Sequence, residues 1–283
     1  MDEMLFELQL TQIEMLKVFD QICQNNHLRY SLYGGSLLGA VRHKGFIPWD
    51  DDLDVCMPRQ DYETFIQIWD KTAPNGYILQ NKDIEPEFTQ SFSKIRKKNT
   101  TFLQDKKERG KYHTGIFIDV FPLDRIPNGK IKRMCFQWNC MKYQLFTREF
   151  IPPKENKLLR LGSWVVLQCT PQKKRTQKRK QLEKKLTQYN GDTTLQIVGI
   201  ETMQMLKQPF DKHMLDSYVK LHFENGEFMC FADWDGYLKR QYGDYMQLPP
   251  EEERTWKHHP VVIDFEHEEI NEPKIMEALV CEK

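Results

Sequence analysis

No two cysteines in this sequence are spaced C-x-x-C, no apolar run reaches bilayer length, and neither sign of charge is in excess. Each absence removes a class of protein. The seven cysteines, Cys23, Cys56, Cys135, Cys140, Cys169, Cys230 and Cys281, are odd in number and scattered, so neither a disulfide framework nor a zinc knuckle is written here. The longest apolar stretch, residues 158–167 with Arg160 inside it, is about half of the roughly 20 residues that a membrane-spanning helix requires. Lys plus Arg number 41, and Asp plus Glu also number 41. That balance argues against a protein that coats nucleic acid through its overall field, so no nucleic-acid partner is expected and partners must be read from local patches. The opening MDEMLFELQL carries Asp2 and Glu3 where a secretory leader would carry positive charge, which predicts a cytoplasmic protein. At 283 residues, 40% hydrophobic and 29% charged, disordered and fibrous classes are out. Such a chain can bury a core large enough to position a catalytic site.

Apolar spacing and chain breakers organise what is present. Leu5, Leu8, Met15, Leu16, Phe19, Ile22 and Cys23 fall at helical spacing and predict a long first helix with one buried face. Leu28, Tyr30 and Leu32 alternate with Arg29, Ser31 and Tyr33, which reads as a strand ending at Gly34-Gly35-Ser36. Residues 37–42 read as a short helix opening on that turn, and 52–57 as a second strand stopped by Pro58. Tyr62, Phe65, Ile66 and Trp69 mark a helix that Pro74-Asn75-Gly76 stops, and further strands are expected at 77–80, 91–96 and 116–121. From 131 to 189 the chain turns helical. Met134, Trp138, Met141 and Leu145 mark one helix, 158–167 a second, and the basic run 173–185 a third. Asn225-Gly226 predicts a hairpin, because both residues tolerate positive φ, and a helix over 233–242 stopped by Gly243 follows. The resulting class is α+β. A mixed β-sheet core flanked by helices occupies residues 1–125; a helical middle segment and a C-terminal hairpin plus helix occupy 126–283 and pack on it as one body.

Chemistry is concentrated in YGGSLLGAVRHKGFIPWDDDLDVCMP, residues 33–58. Asp52 and Asp54 are two apart on an expected strand, so both carboxylates leave one face while Leu53, Val55 and Met57 enter the core. Paired carboxylates want a hard divalent cation, Mg2+ or Mn2+, which keeps some of its waters and bridges to substrate phosphates. Gly35 and Ser36 open a helix, whose free N–H groups and positive dipole end favour a phosphate. A third acid, Asp119, interrupts the apolar GIFIDVFPLD, where an unpaired carboxylate is costly. A cation shared with Asp52 and Asp54 would compensate it; the plainer alternative is that Asp119 only satisfies backbone donors or an arginine. Asp50 and Asp51 complete a run of acids, but the glycine and distal glutamate of a calcium-binding EF-hand loop are missing. A Gly-Ser helix start, a D-x-D strand and a lone acid on a later strand together match the active-site pattern of the nucleotidyltransferase fold. A phosphate site beside a metal site predicts phosphoryl transfer.

The segment GGSLLGAVRHKGFIPWDDDLDV resembles the signature of the LicD family of phosphocholine transferases, to which the fukutin-related sugar-phosphate transferases are similar. The resemblance continues through GIFIDVFPLD to YGDYMQLPPEEERTWKHH, while residues 130–200 are generic. It implies a nucleotidyltransferase-like fold and metal-dependent transfer of a phospho-alcohol, with CMP leaving. The implied donor is CDP-choline or another CDP-alcohol. The implied acceptor is a hydroxyl of a cell-surface glycan of teichoic-acid, lipopolysaccharide or capsule type, or of its lipid-linked precursor. By the same resemblance Asp52, Asp54 and Asp119 are the metal ligands and catalytic residues, with Asp119 either binding metal or accepting the acceptor hydroxyl's proton. Gly35 and Ser36 then cradle a phosphate, and Arg42, Lys44, Lys94 and Arg96 supply its remaining contacts. His258 or His259 contacts phosphate, relays a proton or binds metal. A choline ammonium seeks aromatic faces, for which Trp49, Tyr33, Trp234 and Tyr237 are available without one being singled out. The run KKRTQKRKQLEKK, with eight basic residues and one acid over 173–185, is either a solvated helix face or a peripheral contact with anionic lipid at the inner face of the membrane. Competing readings are the same chemistry with ribitol phosphate or glycerol phosphate, true nucleotidyl transfer releasing pyrophosphate, and a glycan-binding scaffold. The intact three-acid set argues against the last.

Overall fold

Helix α1 (Glu3–Asn25) forms where the sequence gathers Leu5, Leu8, Met15, Leu16, Phe19, Ile22 and Cys23 on one face, and all seven are buried. Gln9 and Gln12 are buried with them, which apolar spacing did not predict. Their amides donate to the carbonyls of Asp50 and Asp51 at 2.9 and 3.1 Å, so the first helix holds the acidic loop by its backbone. The computed structural model describes residues 3–150 and 157–268. The chain divides into two units, one of residues 1–80, 93–121 and 213–283 and the other of residues 81–92 and 122–212.

In the first unit the sheet runs, in spatial order, β1 (Ser31–Leu32), β2 (Asp54–Pro58), β6 (Phe117–Ile126), β4 (Ser93–Lys97) and β3 (Tyr77–Gln80). Helix α2 (Gly34–Arg42) precedes β2, and α3 (Arg59–Thr72) follows it. Two further pairs complete the unit, β5 (Thr101–Leu103) with β10 (Val262–Asp264) and β8 (Tyr218–Phe223) with β9 (Gly226–Phe231), after which α8 (Trp234–Tyr242) is capped by Asp233 and ended by Gly243 at φ 69°. The architecture is α+β with a mixed sheet, as expected of a nucleotidyltransferase-like fold.

In the second unit the later half of β6 pairs with β7 (Gln196–Gly199), from Leu123 opposite Gly199 to Ile126 opposite Gln196. Strand β6 therefore runs past Pro122, beyond the expected 116–121. Helices α4 (Lys130–Arg148), α5 (Lys157–Gln168), α6 (Gln172–Thr187) and α7 (Met203–Lys207) surround a core that includes Phe136, Cys140, Tyr143, Leu182, Leu186 and Val198. No helix among the described residues is long and apolar enough to cross a membrane.

Three local expectations change. The strand expected over 28–33 shrinks to Ser31 and Leu32, the two residues that pair with β2, opposite Cys56 and Val55. The expected alternation holds at Leu28, Arg29 and Tyr30 and ends at Ser31 and Tyr33, which are buried; from β9, Phe231 N–H donates to Ser31 Oγ at 3.0 Å and Met229 N–H to Tyr30 Oη at 3.2 Å. The hairpin forms one residue early, with Phe223 opposite Gly226. Positive φ falls on Glu224 at 53°, which is held there by its N–H on Lys44 O and by its carboxylate accepting from Phe46 N–H, both at 2.9 Å. Helix α4 forms as expected but turns its other stripe inward. Phe136, Cys140 and Tyr143 are buried, whereas Met134 and Trp138 are 56% and 57% exposed. Both stripes are apolar at the same spacing, and only the packing partners choose between them.

Candidate active site

The site starts at the first turn of α2. Gly34 stands at φ 52°, in the left-handed region that glycine tolerates. A side-chain carbon on Gly34 would lie 3.2 Å from Asp54 Oδ2, and one on Gly35 only 2.6 Å from Asp50 Oδ2. Both glycines thus let carboxylates approach a helix N-terminus, whose dipole favours negative charge. The buried Ser36 side chain accepts the Asp54 N–H at 2.8 Å and so ties the start of α2 to the start of β2. Gly34 N–H donates to Tyr237 Oη at 3.1 Å. Tyr33 and Tyr237 are core residues whose ring centroids are 5.6 Å apart, and Trp49 carries the Arg254 guanidinium 5.5 Å from its ring centroid.

Four acids follow within one loop and the strand it feeds. Asp51, with no exposed surface, is an anchor: its carboxylate accepts the backbone N–H groups of Lys257 and His258 at 3.2 and 2.9 Å, and His258 Nδ1 lies 3.1 Å away. Burial works to raise its pKa, but the His258 contacts outweigh burial and the net shift is downward. Asp50 is buried, with Lys257 Nζ 2.9 Å from its Oδ1, yet that oxygen has no hydrogen bond of good geometry. Burial first, then the charge of Asp52, pushes its pKa up to about 6. Asp54 is raised well above the carboxylate range by burial, then by the charges of Asp52, Asp119 and Asp50, with Lys257 pulling the other way. Of the three acids singled out in the sequence, Asp54 therefore feels the charges of Asp52 and Asp119.

The cations divide between this field and the scaffold. Lys94 and Asp119 stand directly opposite across β4 and β6, and Lys94 Nζ lies 2.6 Å from Asp119 Oδ1 with both side chains buried. Burial lowers the Lys94 pKa, and Asp119 offsets part of that. Lys257, which sequence reasoning passed over, reaches Asp50 beside Gly35. Its pKa is raised because Asp50 and Asp52 outweigh burial, as Asp51 and Asp52 do for His258. Arg96 is buried with Nε on Gln80 Oε1 and Nη1 on Gly115 O, and Arg42 Nη1 donates to the carbonyls of Tyr245 and Gln247. These two guanidinium groups fasten loops. His259 is exposed, at φ 42°.

A divalent cation fits this donor set. Asp51, Asp52 and His258 each offer one ligand atom within 4.8 Å of the others, and among the described residues Asp52, Asp54 and Asp119 do not form so tight a group. What favours a cation is the field at Asp54, a half-buried carboxylate among like charges that a hard, oxygen-seeking ion would offset. One prediction follows from Asp50. Its folded pKa of about 6 lies above the ordinary carboxylate value of 3.8, so between those pH values the native state holds a proton that the unfolded state has lost. The associated stability is present below pH 4 and disappears as pH rises through 6. In chelator, Asp50→Asn should gain on the parent by about 2 to 3 kcal/mol between pH 4 and pH 7. Denaturant unfolding at several pH values measures this, and a pH-independent difference would refute it.

Comparison with known proteins bears on the same residues. The family model described as LicD/FKTN/FKRP, nucleotidyltransferase domain, matches residues 27–161, a span that holds Gly35, Asp52, Asp54 and Asp119. Over 265 residues the chain is 32% identical to the lipopolysaccharide cholinephosphotransferase LicD of Haemophilus influenzae, covering 89% of this chain and 95% of that protein. It is also 36% identical over 75 residues to an uncharacterized protein of Rickettsia typhi, covering 26% of this chain and 24% of the relative. A second uncharacterized relative, from Rickettsia prowazekii, is 29% identical over 129 residues, which is 44% of this chain and 48% of that protein.

Proposed function

We propose, from the premise that this chain belongs to the LicD family, that it transfers phosphocholine from CDP-choline to a hydroxyl of a lipopolysaccharide-type glycan and releases CMP. The observation that carries this reading is the cluster of carboxylates whose charges converge on the half-buried Asp54, set against the first turn of α2. Asp52 and Asp54 would hold Mg2+ or Mn2+, which when bound supplies charge neutralisation on the donor diphosphate. The chain's own residues do the rest by positioning. Gly35 at the helix start and Lys257 beside it face donor phosphate oxygens. The acceptor oxygen bonds to the phosphorus that carries choline, and the bond from that phosphorus to the CMP oxygen breaks. Asp119, oriented by Lys94, either shares the ion or takes the hydroxyl proton as the new bond forms. His258 fixes Asp51 and with it the C-terminal segment that brings Lys257 to the site.

The experiment supplies Mg2+ or Mn2+, a lipopolysaccharide acceptor, and CDP-choline, CDP-ribitol, CDP-glycerol or CTP in turn, and identifies the nucleotide product. CMP from CDP-choline is the expected result. CMP from another CDP-alcohol would change the alcohol and keep the chemistry, whereas pyrophosphate from CTP would mean nucleotidyl transfer. No turnover with any donor would favour the scaffold.

A further inference from the structure

The second unit carries a surface that phosphoryl transfer does not employ. Helix α5 has 12 residues, yet Leu161, Trp164, Val165 and Val166 are 58%, 53%, 43% and 38% exposed. Single exposed apolar side chains are ordinary, but Leu161, Trp164 and Val165 fall at i, i+3 and i+4 on one face of this short helix and form a patch. At about 1.5 Å per residue the helix is roughly 18 Å long, too short to cross a hydrocarbon layer of about 30 Å. Next along the chain, α6 exposes Lys173, Lys174, Lys178, Lys184 and Lys185, and none of the five is ion-paired among the described residues. Its other cations are engaged: Arg179 pairs with Asp83, Arg175 with Glu149, and Lys180 lies 3.4 Å from Asp83. The helices also share a groove of about 240 Å³, lined by Lys142, Lys178 and Lys185 together with Phe146, Val166 and Leu182. Ammonium groups over an apolar lining match the boundary between phosphate headgroups and acyl chains.

We propose that α5 and the lysines of α6 dock this protein on an anionic lipid bilayer, with α5 lying in the headgroup boundary and the lysines against the headgroup phosphates. Charge complementarity selects this occupant, because five lysines with no carboxylate partner among the described residues would repel a second copy of the same surface. The proposal stands apart from the transfer reaction; under that reading, docking brings the enzyme to a lipid-linked acceptor.

The full chain is sedimented at low salt with vesicles of phosphatidylglycerol and phosphatidylcholine, and with phosphatidylcholine alone. Binding is expected only to the anionic vesicles, and it weakens steeply as salt is raised. Lys184→Ala/Lys185→Ala lowers the partition coefficient more than ten-fold, since each lysine near an anionic leaflet contributes about five-fold. Trp164→Ser lowers it about ten-fold and removes most of the quenching of tryptophan fluorescence by brominated acyl chains. Both variants keep the parent's unfolding midpoint, because the altered side chains are exposed. Equal binding to both vesicle types, or anionic binding that survives these substitutions, overturns the proposal. So does a concentration-dependent dimer in sedimentation velocity that Trp164→Ser abolishes, which would give the surface to a second copy. None of these readouts depends on turnover, so a negative result here leaves the transferase assay unaffected.

Discussion

Asp54→Asn is expected to lower turnover by about 10³-fold while raising the unfolding free energy of the metal-free protein. The two effects share a cause. Asp54 is half-buried where its charged form is opposed by desolvation and by Asp52, Asp119 and Asp50, so at neutral pH the folded protein carries a penalty that a neutral amide of the same shape removes. The gain should be on the order of 1–3 kcal/mol in chelator. Turnover moves the other way, because the same repulsion is what a divalent ion relieves, and losing a charged ligand removes several kcal/mol of stabilisation from the transferring phosphoryl group. Steady-state CMP release and urea unfolding with and without Mn2+ check both arms. Near-normal turnover would mean that the reaction centre lies elsewhere. A less stable variant would mean that the carboxylate makes favourable contacts that outweigh the surrounding charge.

Much of this site was legible because its pieces are local. Gly34-Gly35-Ser36 and Asp52-Leu53-Asp54 lie within 25 residues of each other, and an acid in an otherwise apolar run, such as Asp119, announces an unmet electrostatic need. The pairings that complete the site are long-range. Asp51 reads as one more acid in a run, yet it fixes a segment 206 residues away. Lys257 carries no local signal beyond its neighbour His258. Gln9 and Gln12 resemble solvent-facing residues of an amphipathic helix until the loop they hold is in place. Arg42 and Arg96 stand near the motif, which suggests phosphate; in the fold Arg42 Nη1 donates to the carbonyls of Tyr245 and Gln247 and Arg96 Nη1 to that of Gly115, contacts that only the folded chain presents. The continuation of β6 was hidden by Pro122, Asp124 and Arg125, whose polarity reads as a loop. In the fold Arg125 Nη1 reaches the carbonyls of Thr193 and Leu195, and Asp124 accepts from Asn190, so a pattern that breaks the strand signal is internally satisfied.

Lys94→Met should be the most destabilising single change at the site, costing about 3–5 kcal/mol in chelator, because it leaves Asp119 buried without its counter-ion. The lost ammonium lies 2.6 Å from Asp119 Oδ1 and 3.2 Å from the Phe117 ring centroid, and methionine fills its volume without its charge. Adding Asp119→Asn to Lys94→Met should recover most of the loss, since the unpaired charge and not the cavity is the cause. Mn2+ then separates the two uses of Asp119. Any ion that binds only the folded state stabilises the parent by mass action; if Asp119 shares that ion, the ion also replaces the missing positive charge, and Lys94→Met gains more from Mn2+ than the parent does. Equal gains in the two proteins would leave Asp119 outside the coordination sphere, with Lys94 orienting it to receive the acceptor's proton. In that case Lys94→Met supplied with Mn2+ keeps near-normal metal affinity but loses turnover, and restoring the charge with Lys94→Arg brings back part of it only if the longer guanidinium can still meet Asp119 across the strand pair.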